Sequence, residues 1–244
     1  MKVNHELDRL VDSYNIDTRS EQYKRAEFLD KLSRHLDLRN ASALELGSAS
    51  GRLTKLIAAR CRRLVAVDGS ARFLALAREE VGSLPVTFVH SLFEHYAHSE
   101  PSDLVLMHHI LEHVSSPVNL LMRVRAFLAP RGLLAISVPN AHALSRQLAV
   151  KMGLMESPYE LTPNDRRHGH QRVYDWRSIE EDVGSAGYEV VARHGLALKL
   201  FADFQNEQII SAGIVGDSQI RGLWELAEDY REVSGAIMLV VAAR

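Results

Sequence analysis

From Ala41 onward, short apolar runs alternate with stretches whose apolar residues recur at helical spacing. "ASALELG", "RLVAVDG", "VTFVHS", "DLVLMHH" and "GLLAISVPN" read as five strands. "RLTKLIAARC", "ARFLALAREEVG" and "VNLLMRVRAFLA" read as the helices between them, the last ended by "PRG". Strands this continuously apolar, separated by helices, predict a parallel sheet covered on both faces. Right-handed crossovers would then gather the strand ends along one functional rim. Later, "SIEEDVGSAG" predicts a helix, and "YEVVARHG" and "AIMLVVAA" predict two more strands.

Three regions depart from this alternation. Up to about Leu38, charged sequence with helically spaced Leu7, Leu10, Val11, Phe28, Leu29, Leu32 and Leu36 predicts two helices broken near "NIDTRS". Residues 141–175 hold Pro158, Pro163 and the polar run "NDRRHGH", with no clear strand. Residues 195–233 are mostly helical in pattern. We read residues 1–244 as one α/β domain, with 1–38 as a helical extension or lid and 141–175 and 195–233 as cap insertions over the rim. Tyr14 and Tyr23 of the extension either cover the ligand or simply pack.

Composition narrows the picture. With 244 residues, 46% of them hydrophobic, one large core is within reach. A net charge of -2 from 29 basic and 31 acidic side chains gives no general drive toward nucleic acid or anionic lipid. The run Arg60-Cys61-Arg62-Arg63 reads as a solvated helix end or a phosphate contact. One cysteine excludes an intrachain disulfide and fits a reducing compartment. The charged start is unlike a signal peptide, and no apolar run approaches the ~20 residues that span a bilayer. A soluble cytoplasmic protein is expected, with no membrane and no nucleic-acid partner; its oligomeric state stays open, a homodimer included.

The most informative stretch is "ALELGSASGRL". A strand, a turn over Gly47-Ser48-Ala49-Ser50-Gly51 and a helix let backbone pass close beneath a nucleotide-like ligand, and Gly47 and Gly51 permit torsions that a side chain would oppose. One strand later, Asp68 stands at a strand end, where a carboxylate can accept hydrogen bonds from both ribose hydroxyls. A dinucleotide fingerprint fits poorly, because the position of its third glycine is Arg52.

The spacing Glu45-x-Gly47-x-Ala49-x-Gly51 resembles the first motif of the class I S-adenosylmethionine-dependent methyltransferases. Asp68 matches that family's ribose-binding acid, "DLVLMHHILEHV" its fourth motif and "LAPRGLLAISVPN" a later segment, with Arg131 in place of a glycine. The resemblance implies a doubly wound Rossmann-like sheet, mainly parallel with a reversed last strand. It implies S-adenosyl-L-methionine as cofactor, with Glu45 near the methionine amino group and backbone at Gly47, Ser48 and Gly51 around the methionine portion. Asp68 would hold the ribose, Ser91 and Leu92 would lie at the adenine edge, and His108 would offer backbone near the methyl. The "E-H-V" triplet would open the helix after the fourth strand.

"HHILEH" also spells H-x-x-E-H, an inverted zinc-peptidase motif. His109 falls at the turn after the strand, which spoils the spacing of two ligands on one helix face, so no metal is expected. Neutral histidine suits proton acceptance near pH 7, making His109, His113 and His170 the candidate general bases. "GHQRVYDW" is similar to a segment of ubiquinone-biosynthesis and sugar or secondary-metabolite methyltransferases. That similarity places His170, Arg172 and Tyr174 at an acceptor pocket which Lys199 helps to close. The sequence therefore predicts methyl transfer to oxygen or nitrogen of a small molecule. An NAD-type oxidoreductase and a non-catalytic cofactor-binding subunit are the alternatives.

Overall fold

The computed structural model describes residues 5–13 and 18–244, so Tyr14 lies outside the described residues. In chain order the elements are α1 (His5–Leu10), α2 (Arg19–Ser33), β1 (Ser42–Leu46), α3 (Arg52–Ala58), β2 (Arg63–Asp68), α4 (Ala71–Val81), β3 (Val86–His90) and β4 (Ser102–His108). Then follow α5 (Pro117–Arg125), β5 (Leu128–Pro139), α6 (Leu144–Lys151), α7 (Pro163–Arg167), α8 (Trp176–Ser185), β6 (Tyr188–Leu196), α9 (Asp203–Ser211), α10 (Asp217–Asp229) and β7 (Ala236–Ala243).

The seven strands lie in the order β3-β2-β1-β4-β5-β7-β6. The first five are parallel, and β7 runs antiparallel to both β5 and β6. Every residue of β1 is buried, as expected for a central strand with helices on both faces. One face packs Leu44, Leu46, Val105, Met107 and Ile136 against Leu121 of α5 and Ile179 and Val183 of α8. The opposite face packs Ala43, Leu104, Leu106 and Met238 against Phe28 and Leu32 of α2 and Ile57 of α3.

Two boundaries differ from the sequence expectation. The helix before β5 ends at Arg125 rather than near Ala129, because Leu128 already pairs with Ser102 of β4. Arg131 then turns at φ 65° beneath Gly132, where a Cβ would press on the Ser102 and Ala129 carbonyls. The helix after β4 does not open at the "E-H-V" triplet. It begins at Pro117, whose fixed φ and missing N–H suit a first helical position, leaving Ile110–Ser116 as a turn-rich loop. The 141–175 segment contains no strand but two short helices, the second opened by a Thr162–Asp165 capping box.

Helix α2 is tied across the rim by a buried ion pair. Lys31, fully buried, lies 2.9 Å from Glu27 and 3.2 Å from Glu228 of α10, and also donates to the Gly195 carbonyl. Glu27 in turn accepts from the Ala197 N–H at 2.8 Å. Removing one member of such a pair leaves its partner charged and dry. Lys31→Met is expected to cost about 3–5 kcal/mol in chemical denaturation, and Glu27→Gln combined with Lys31→Met to recover a large part of that loss.

Candidate active site

The loop after β1 is held in a strained path by its own sequence. Gly47, Ala49 and Gly51 have φ of 86°, 43° and 82°, a region that glycine enters freely and alanine only at a cost. A Cβ on Gly47 would fall inside the Ile110 side chain, and one on Gly51 would meet the Ala77 backbone of α4 at 2.6 Å. The second glycine thus serves helix packing as well as the turn. Asp68, at the end of β2, reaches across and accepts from the Ala49 N–H at 3.0 Å and from the Ser70 N–H at 2.8 Å. One carboxylate therefore fastens the loop after β1 to the loop after β2.

Two polar atoms beside this loop are buried without a hydrogen-bond partner: Glu45 Oε2 and Ser48 Oγ. Unsatisfied buried polar groups are costly, and a ligand carrying an ammonium and hydroxyl donors would satisfy them. Burial pushes the Glu45 carboxyl up to about 8 and the Asp68 carboxyl up to about 6. Both shifts favour the protonated acid in the fold. The stability they contribute is complete below the ordinary values of 4.5 and 3.8, and is lost as pH rises through 6 and 8. Ser91 and Leu92 border the crevice beyond β3: the Ser91 N–H donates to the Asp68 carbonyl at 3.1 Å, and Leu92 packs over Gly69. This set of donors and acceptors fits the chemistry of S-adenosylmethionine.

Next to the crevice, β4 ends at His108 and His109 follows in the turn. His108 is half-buried, with its ring 4.6 Å from that of Phe28 and its Nδ1 2.6 Å from Ser137 Oγ; desolvation keeps it far below its ordinary value, hence neutral. His109 turns out at φ 56° with its side chain about one-third exposed, and its Nδ1 lies 3.0 Å from Glu112 Oε1. Burial would raise the Glu112 carboxyl, but the bond from His109 and the nearby His113 and His170 outweigh it and hold the acid below its usual range. The rings of His113 and His170 meet edge-on at 4.8 Å, and Asp165 Oδ1 lies 3.4 Å from His170 Nδ1.

The structure thus brings His109, His113 and His170 around one buried carboxylate. Two residues expected at the acceptor side are bonded within the protein. The Arg172 guanidinium donates to the carbonyls of Leu111, Val114 and Ser115, so it braces the loop after β4. Tyr174 is buried in the core with its hydroxyl donating to Asp182 at 2.9 Å. Lys199 does line a cleft between α2, α9 and α10, where it and Lys24 share Asp203. Sequence reasoning missed Phe28 and Asp165. Only the T-P-N-D capping pattern could have flagged the latter.

The family model described as a methyltransferase domain matches residues 18–193. The tRNA 5-carboxymethoxyuridine methyltransferase of Escherichia coli is 25% identical over 193 residues, covering 74% of this chain and 71% of its own. A ubiquinone biosynthesis O-methyltransferase of Roseobacter denitrificans is 31% identical over 110 residues, 44% of each chain. Among solved structures, the N-methyltransferase NodS from Bradyrhizobium japonicum, in complex with S-adenosyl-L-homocysteine, superposes with a TM-score of 0.62 at 14% identity, over 99% of this chain and 98% of that one. That last likeness shows the fold, while the family model covers most of the chain. With a sheet of this order and a crevice of this chemistry, the chain belongs to the methyltransferase-domain family and is an S-adenosylmethionine-dependent methyltransferase.

Proposed function

We propose that the enzyme methylates an oxygen or nitrogen of a small molecule in the cytoplasm, with His109 as the general base. One observation carries this reading: His109 stands at the end of β4 beside the cofactor crevice, with Nδ1 held by the buried Glu112 and the ring partly open to solvent. In that arrangement Nδ1–H donates to the carboxylate, and Nε2 is the atom left to accept a proton. Glu112 sets the tautomer and stabilises the imidazolium that forms. When bound, S-adenosylmethionine supplies an already activated methyl group, so the chain must align the acceptor, exclude water and take its proton.

Glu45, Gly47, Ser48, Gly51 and Asp68 are assigned to the methionine and ribose portions, Ser91 and Leu92 to the adenine edge, and backbone at His108 to the methyl end. The segments 141–175 and 195–233, with α2, enclose the acceptor side. Lys24 of α2 pairs with Asp203 of α9 at 2.8 Å, and Tyr23 bonds Asp217 of α10. An enclosed rim and a net charge of -2 favour a small acceptor over a polyanion. A screen of metabolites for S-adenosylhomocysteine release, with tRNA included, is the direct comparison. Turnover on tRNA alone would overturn the small-molecule reading.

Asp68→Ala should weaken S-adenosylhomocysteine binding by about 2 kcal/mol or more, the scale of lost charge-assisted hydrogen bonds. Calorimetry giving wild-type affinity for that variant would remove the ribose assignment. Cofactor binding favours the ionised acids, so affinity should rise with pH through 6 and toward 8. At pH 7 the binding heat should vary with buffer ionisation enthalpy, reporting release of about one proton that Glu45→Gln abolishes. Once an acceptor is known, His109→Gln should lower kcat by roughly 10²–10⁴-fold with cofactor affinity unchanged. An undiminished kcat would exclude His109 as base.

A further inference from the structure

We propose that Glu112, His113 and His170 form a binding site for a divalent transition-metal ion, with zinc the best match to the donors. A carboxylate oxygen of Glu112 and one ring nitrogen from each histidine lie within 4.8 Å of one another. One carboxylate and two imidazoles is a donor set that catalytic zinc sites use, with the fourth position left to water or substrate.

Three further features support a ligand there. The Glu112 side chain is fully buried; its Oε1 is bonded by His109, while Oε2 has no partner. His170 presents Nδ1 to Asp165 at 3.4 Å, and Asp165 is itself fixed by Thr162 and Arg146. His113 turns its Nδ1 edge to Gly169 and hydrogen-bonds the backbone there. Like Glu112 Oε2, the buried His170 Nδ1 has no hydrogen-bond partner, so two donor atoms of the cluster are left for a ligand. A carboxylate or a backbone group behind each histidine is the support that metal-ligating histidines require, and a hydrogen-bonded ligating carboxylate completes it. The two rings meet nearly perpendicular with centroids 4.8 Å apart, so both stand against the same carboxylate.

The H-x-x-E-H spelling therefore points to a metal through a different set of residues. His109 is withheld because it occupies a left-handed turn and spends Nδ1 on Glu112. Its place is taken by His170, brought in by the 141–175 insertion. The loop carrying Glu112 and His113 is braced for this by the Arg172 guanidinium and by the Gln171 N–H, which donates to the Glu112 carbonyl at 2.8 Å. The open coordination position suits a hydroxyl or carboxylate oxygen of the acceptor, whose proton the ion would make easier to lose. That role rests on the methyl-transfer reading above; the binding of the ion does not.

The test uses the full chain stripped with a chelator and titrated with cobalt(II), whose visible ligand-field bands report a low-symmetry nitrogen–oxygen site. About one equivalent should bind and be displaced by zinc. His113→Ala and His170→Ala should each abolish the bands, while His95→Ala, at an exposed position, should keep them. Asp165→Asn should weaken binding by 10–100-fold. Retained S-adenosylhomocysteine binding shows that each variant is folded. Asp68→Ala should lose cofactor affinity yet keep the cobalt spectrum, which separates failure of one site from failure of the other. Absence of bands in the wild-type protein, or their persistence in the His113→Ala/His170→Ala double variant, would overturn the proposal.

Discussion

The arrangement depends first on one buried carboxylate that bonds backbone on two loops. Asp68 stands at the end of β2, yet its oxygens hold the Ala49 N–H of the preceding crossover and the Ser70 N–H at the start of α4. Without those two bonds the strained turn over Gly47–Gly51 would have little to oppose its relaxation. The same burial that makes the bonds strong raises the acid's pKa, because a charged oxygen in that setting gives up hydration. Ligand hydroxyls can restore what burial removes. On the proposed reading, the residue that shapes the crevice in the free protein is also its recognition element.

A second constraint joins the crevice to the chemistry. Gly47 has no side chain because Ile110 occupies the space where one would be, and Ile110 follows His109 directly. The loop after β1 and the loop after β4 are therefore packed against each other at a glycine. His109, in its left-handed turn, meets the His108 ring edge-on at 4.6 Å, while His108 packs against Phe28 on its other side. Arg172 completes the assembly from the far side by gathering three carbonyls of the same loop.

The strands and the turn fastened by Asp68 are legible in sequence because their signals are local: continuous apolar runs, glycines at a tight turn, and an acid one strand later. The acceptor side is less so. Arg172 and Tyr174 have the composition of a polar pocket, but nothing local says that a guanidinium will be consumed by backbone carbonyls sixty residues away or a phenol by Asp182. The family resemblance puts a helix start at the E-H-V triplet, whereas Pro117 defines the actual start. Most consequentially, the partnership of His170 with Glu112 and His113 is a tertiary contact across an insertion, and spacing within "HHILEH" carries no trace of it.

On the proposed reading, the crevice between the Gly47–Gly51 turn and Asp68 receives the cofactor in one defined orientation. A crystal structure of the protein with S-adenosyl-L-homocysteine tests this most directly. Both ribose hydroxyls should lie within hydrogen-bond distance of Asp68, with the amino group on Glu45 and the sulfur facing the His108–His109 end of β4. Density for the ligand anywhere else, with Asp68 still bonded only to the backbone of Ala49 and Ser70, would contradict the account.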